Sequence, residues 1–167
     1  DEINKRIIKD ISFISGEDSV HVIYQGKEIT NHLRSENIAK IASKHSAKKE
    51  VRRSLFDIQR NFYNEKGLVA DGRDMGTVVF KDAKIKIFLT ASKEIRAKRR
   101  YLELQNRGQE VNMPALIADI EERDLKDSSR KLSPLIPADD AYVIDSSDMS
   151  LEEVFSFTEN LIKKEFI

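Results

Sequence analysis

One concentration of reactive side chains in the 167-residue chain is Asp71-Gly72-Arg73-Asp74. It follows the apolar run Leu68-Val69-Ala70, where a parallel strand would deliver its C-terminal end, the edge at which open α/β sheets bind ligands. Gly72 permits a tight backbone path, Arg73 offers a planar fork suited to phosphate, and two carboxylates flank it. The competing reading is a polar turn whose acids and base neutralise one another. A second cluster is Arg96, Arg99 and Arg100, whose spacing sets three guanidinium groups on one helix face. With Glu94 and Glu103 nearby, this is either a solvated, salt-bridged surface or a hinged cover that breaks at Gly108 and excludes water from phosphoryl transfer. Arg123, Asp127 and Arg130 form a third cluster, pointing the same way on one helix. They are either a salt-bridge ladder or a nucleotide contact, with Asp127 on a sugar hydroxyl and the arginines on anionic oxygens.

These residues need elements to hold them. Ile11 to Ile14 and Val20 to Tyr24 read as short strands separated by a turn at Ser15-Gly16-Glu17-Asp18. A second turn spans Gln25 to Glu28, after which Ile29-Thr30 resumes an extended path. Glu2 to Lys9 reads as a short helix. Ser35 caps a helix with Ile38, Ile41 and Ala42 on one face. Another runs from Lys49 to Glu65 on an apolar stripe of Val51, Leu55, Ile58 and Phe62, with Gly67 as its C-cap. Leu68-Val69-Ala70 and Ile85 to Leu89 read as buried strands of a parallel sheet. A basic helix follows between Ser92 and Gln105. Pro114 opens a helix to Lys131, Ala141 to Asp145 is a last strand, and Ser150 caps a closing amphipathic helix. The alternation implies an α/β sandwich with a parallel sheet and one small antiparallel insert.

Composition narrows the partners. Lysines and arginines number 29, as do aspartates and glutamates, so the formal net charge is zero and no global field attracts nucleic acid or membrane. An RNA-binding role for the basic helix also lacks a stacking-aromatic motif. The chain has no cysteine, which excludes disulfides, thiolate nucleophiles and cysteine zinc sites, and is compatible with a cytoplasmic location. No apolar stretch reaches the length of a membrane span.

Taken in order, Asp71-Gly72-Arg73-Asp74-Met75-Gly76-Thr77-Val78-Val79-Phe80, Lys86-Ile87-Phe88-Leu89, Arg96-Ala97-Lys98-Arg99-Arg100, Glu122-Arg123-Asp124 and Ile144-Asp145-Ser146 resemble bacterial cytidylate kinases. The resemblance implies a P-loop nucleoside monophosphate kinase fold that, with Mg²⁺, transfers phosphate from ATP to CMP or dCMP. It divides the chain into residues 1–66, a CMP-binding insert with connecting helices, and residues 67–167, the rest of the core with a lid at about 92–112. By position it implies that Ser43, Arg52 and Asp74 contact cytosine. It assigns Arg123 and Asp127 to the ribose, Arg73 and Arg130 to the CMP phosphate, and Arg99 and Arg100 to the lid over the transferring phosphoryl. Arg73, Arg99 and Arg100 would thus serve the chemical step. The reading of cytosine is chemically sensible: its exocyclic amine faces a carboxylate well, whereas uracil would set an acceptor there. A monomer is expected for the intact enzyme.

The family's donor side does not appear. Residues 1–167 contain no G-x-x-x-x-G-K-[ST] stretch, the loop whose lysine and hydroxyl hold ATP phosphates and Mg²⁺. The resemblance therefore implies roughly sixty further residues before Asp1, including a central strand. Accordingly no metal site is expected within these residues, no turnover is expected from them alone, and a gap is expected in the sheet. The alternative is a non-catalytic CMP-binding fragment.

Overall fold

The computed structural model describes residues 10–16, 20–33 and 35–166. The helix read at Glu2 to Lys9 and the second half of the first turn, Glu17-Asp18, lie outside them. The chain divides into two compact units, Asp1–Val69 and Ala70–Ile167.

In the first unit β1 (Ile11–Ser15) pairs antiparallel with β2 (Val20–Tyr24), Phe13 opposite Val22, and β2 pairs with β3 (Lys27–Glu28). The second turn is tighter than its sequence implied. Gln25 and Gly26 both take positive φ, 49° and 76°, the conformation of a two-residue hairpin, so Lys27 and Glu28 join the ladder. The expected extended path at Thr30 is replaced by the one-turn helix α1 (Thr30–Leu33). Thr30 Oγ1 accepts from the Val22 amide at 2.9 Å and Ile29 donates to the Val22 carbonyl, which ends the ladder and turns the chain.

Ser35 caps α2 (Glu36–Ser46) by accepting from the Ile38 amide, as its sequence position implied. Helix α3 (Lys49–Arg60) stops short of the expected Glu65. Asn64 explains the early stop: its side-chain oxygen accepts from the Lys66 amide and its carbonyl from Gly67, a local turn that competes with the helix. Gly67, at φ 93°, closes that turn rather than capping the helix. Phe13 meets the chain just past α3 in an edge-to-face contact with Phe62, centroids 5.3 Å apart.

The second unit carries β4 (Ile87–Thr90) and β5 (Tyr142–Asp145), paired parallel with Leu89 beside Ile144. The parallel sheet among the described residues has these two strands. Leu68-Val69-Ala70 forms no strand, contrary to expectation, and Val69 is 95% exposed. A strand is stable only with a neighbour to complete its ladder, and none is described beside this run. Nor is β4 fully buried, since Leu89 is 55% exposed. Met75–Val79 winds into a π-helical turn: the Asp74 carbonyl accepts from the Val78 and Val79 amides, and Met75 from Phe80.

Helix α4 (Lys93–Asn106) begins at Ser92, whose hydroxyl accepts from Ile95, and ends in a Schellman arrangement. Gly108, φ 71°, donates to the Gln105 carbonyl and Gln109 to that of Leu104. The expected break is thus a built helix terminus. Helix α5 (Met113–Ser128) is capped by Asn112, with Pro114 in its first turn. It ends before the expected Lys131, because the Ser128 and Ser129 hydroxyls donate to the Asp124 and Leu125 carbonyls. Helix α6 (Leu151–Phe166) opens on a reciprocal box: Ser150 donates its amide to Glu153, and Ser150 Oγ accepts from the Glu153 amide. Val79, Ala91, Ala97, Leu104 and Ile144 form the buried apolar core. Among the described residues no helix is long and apolar enough to cross a membrane.

Candidate nucleotide site

Asp127, on the last turn of α5, is 1% exposed. A bare carboxylate at that depth would be costly, and three arginines surround it. Arg130, three residues on, meets Oδ1. Arg73, from the segment preceding the π-turn, meets Oδ2, and Arg123 Nε lies 3.8 Å from that same oxygen. The helix period brings Arg123 to Asp127, whereas Arg130, expected on the same helix, lies two residues past its end at Ser128 and reaches Asp127 from the chain beyond the cap. Arg73 joins them from 54 residues upstream, which no spacing rule could show. Three cations about one anion leave a formal excess of two positive charges. Burial, with the like charges of Arg123 and Arg130, pulls Arg73 below the ordinary guanidinium value, while Asp127 and Asp124 hold it up. The carboxylate thus holds cations close together that would otherwise repel, and such a cluster can receive a phosphate.

The basic helix resolves differently. Arg96 makes a bidentate pair with Asp124 of α5, at 3.0 and 2.5 Å, and its Nε donates to the Ala91 carbonyl. Arg99 donates to Ser146 Oγ at 3.0 Å and to the Ser146 carbonyl at 2.7 Å. Ser146, 1% exposed, itself donates its hydroxyl and its amide to the Thr90 carbonyl. Arg99 is therefore latched to the point where β4 and β5 both end. Arg100 pairs with Glu103, which also meets Arg107. Three arginines on one face go to three destinations, and Arg96 is a tie between α4 and α5.

Against this geometry the comparisons with known proteins are decisive. The family model for cytidylate kinase matches residues 3–164. The chain belongs to the cytidylate kinase family. It is 49% identical over 145 residues to the cytidylate kinase of Serratia proteamaculans (strain 568), and 48% identical over 145 residues to those of Yersinia pestis (strain Pestoides F) and Yersinia pseudotuberculosis serotype O:1b (strain IP 31758). Each match covers 87% of this chain and 63% of the relative, so the chain spans under two thirds of the length of the curated relatives it matches. Membership in this family implies a P-loop nucleoside monophosphate kinase fold, and the helices and the parallel β4–β5 pair are consistent with it.

Of the residues the family resemblance pointed to, the structure gathers Arg73, Arg123, Asp127 and Arg130 in one cluster and gives Arg99 and Arg100 other partners. Ser43 on α2 and Arg52 on α3 belong to the first unit and are half-buried, while Asp74 belongs to the second, at the start of the π-turn. The sequence motifs include Ser146 and Lys86, but nothing in them assigned Ser146 its bonds to Arg99 and Thr90 or paired Lys86 with Asp140. A lysine inside the apolar run Ile85-Lys86-Ile87 was the available signal. Among the described residues no group of three or more His, Cys, Asp or Glu side chains could hold a metal.

Proposed function

We propose that the full-length protein carrying residues 1–167 is a cytidylate kinase that transfers the γ-phosphoryl group of ATP to CMP or dCMP. An oxygen of the CMP phosphate attacks the γ-phosphorus, the bond to the β-phosphate oxygen breaks, and CDP or dCDP and ADP leave. No protein nucleophile is required, so catalysis is positioning and charge neutralisation. The observation that carries this reading is the Arg73–Asp127–Arg130 cluster in a chain of this family.

Arg73 and Arg130 hold the acceptor phosphate. Arg123, the most exposed arginine of the cluster, approaches the ribose. Asp127 has arginines at both carboxylate oxygens, so its first role is to hold them. It meets the ribose only if one of those pairs opens when CMP enters. Asp74 reads the cytosine edge. Arg99 and Arg100 act on the transferring phosphoryl after leaving Ser146 and Glu103, a lid movement that the exposed face of α4 permits. The loop that grips the ATP phosphates and Mg²⁺ is assigned to residues outside 1–167, since these contain no G-x-x-x-x-G-K-[ST] stretch. For the same reason residues 1–167 alone are a CMP-binding fragment without turnover.

The test is Asp74→Asn in the full-length enzyme. Its specificity constant for CMP is expected to fall on the order of a hundredfold, with the KM for ATP little changed. Equal losses for both nucleotides would remove the cytosine-reading role.

A further inference from the structure

Lys86 is a charged residue with a side chain only 7% exposed, next to the start of β4. Its ammonium donates to Asp140 Oδ2 at 2.6 Å, and Asp140 is itself 65% exposed. An exposed lysine could meet that aspartate without losing its hydration, so the burial of this one calls for another reason. The reason lies along its stem. A Cβ placed on Gly76 would meet Lys86 Cδ, Cγ and Cβ at 3.4, 3.5 and 3.6 Å, so the methylenes face the side-chain position of Gly76 in the π-turn, one methyl group's width away. That turn hangs from the Asp74 carbonyl, which accepts from Val78 at 2.9 Å and Val79 at 3.2 Å. Arg73, the arginine on Asp127, is the next residue back. Lys86 is also fixed at its backbone, where its carbonyl accepts from the Tyr142 amide at 2.8 Å.

We propose that Lys86 is a positioning residue for the acceptor site: tethered by Asp140, its stem forms the floor of the Met75–Val79 turn and sets the direction in which Arg73 and Asp74 leave it. This rests on reading Arg73 and Asp74 as the phosphate and cytosine contacts. The ion pair directs the side chain, because Asp140 belongs to the turn that feeds β5 while the methylenes between face Gly76. Loss of the tether lets the ammonium swing to water and takes the floor with it. Loss of the stem removes the floor outright. A shift of an ångström at Arg73 or Asp74 is enough to change kinetics, since acceptor and donor phosphates must meet at near-attack distance. A simple staple between β4 and the turn before β5 would instead lower thermal stability and leave nucleotide kinetics alone.

The experiment compares Lys86→Ala, Lys86→Met and Asp140→Asn in the full-length enzyme. CMP is varied at saturating ATP, ATP at saturating CMP, and each variant's melting temperature is recorded. Lys86→Ala is expected to raise the KM for CMP about tenfold, with the KM for ATP within about twofold. Lys86→Met keeps most of the stem and falls between wild type and Lys86→Ala. Asp140→Asn, at an exposed position, is expected to raise the KM for CMP about threefold. Folded variants that lose melting temperature but keep the KM for CMP within about twofold overturn the proposal. If Lys86→Ala does not fold, Asp140→Asn decides on the same criterion. A wild-type enzyme that does not phosphorylate CMP would overturn the underlying assignment of Arg73 and Asp74, a different result from intact CMP kinetics in the variants.

Discussion

At the scale of single residues, Asp127 bears the most weight. Its side chain is 1% exposed and holds Arg130 on one oxygen and Arg73 and Arg123 on the other. Asp127→Asn keeps the shape and removes the charge, leaving three guanidinium groups to repel one another. Breaking a buried ion pair of this kind costs about 3 kcal/mol, so a lowered melting temperature is expected. The specificity constant for CMP should fall on the order of a hundredfold, measured by varying CMP at saturating ATP. An unchanged CMP constant would remove the cluster from the site. Asp140 gives a pH prediction. Its hydrogen bond from Lys86 lowers its pKa below the ordinary aspartate value. A carboxylate lowered on folding contributes stability that is complete above its unfolded pKa, about 4, and is lost as pH falls through the folded value. The melting-temperature difference between wild type and Asp140→Asn should therefore be constant above about pH 5 and disappear in more acid solution. A difference that grows on acidification would contradict the pair.

At the scale of elements, local rules carried far and then met their limit. Ser35 and Ser150 were readable as caps because a hydroxyl before an apolar-periodic run satisfies amides that the helix leaves open. Gly108 was readable as a break because only the left-handed region closes a Schellman terminus cheaply. The ends of α3 and α5 were not. Asn64 and the Ser128-Ser129 pair draw the backbone into local bonds that the apolar stripe continues straight past. Leu68-Val69-Ala70 has strand composition, yet a ladder needs a neighbour, and composition does not report one. In the site, the pairing of Arg123 with Asp127 was legible from helix period, while Arg130 meets Asp127 from beyond the helix end that the period did not show. Arg73's arrival on Asp127 is long-range and left no local trace, and neither did the facing of Lys86 and Gly76 across the loop between them. Two predictions belong here. Ser150→Ala should cost about 1 kcal/mol of stability and lower the melting temperature of the full-length enzyme by a few degrees, seen by calorimetry. Arg96→Lys should lose the bidentate pair with Asp124 that ties α4 to α5, and faster hydrogen exchange in the first turns of α4 would show it. Unaltered exchange there would mean the tie is not needed.

At the scale of the whole molecule, the sheet carries its own statement about what it is part of. Leu89 and Val143 stand on opposite faces of the β4–β5 pair and are 55% and 60% exposed, whereas parallel sheets are ordinarily covered on both faces. Exposed Leu151 and Phe155 on α6 add to this apolar surface. Residues 1–167 produced alone should accordingly bind a hydrophobic dye strongly, and the full-length enzyme weakly; equal binding would show that these faces stay open. The account as a whole turns on one claim, that the arginine cluster around Asp127 and the carboxylate of Asp74 serve a cytidine monophosphate acceptor. The specificity constants of the full-length enzyme for CMP and UMP, measured side by side with ATP as donor, test it most directly. CMP should be preferred on the order of a hundredfold or more, because uracil sets an acceptor where cytosine offers an amine. Equal use of UMP, or phosphorylation of neither, would contradict it.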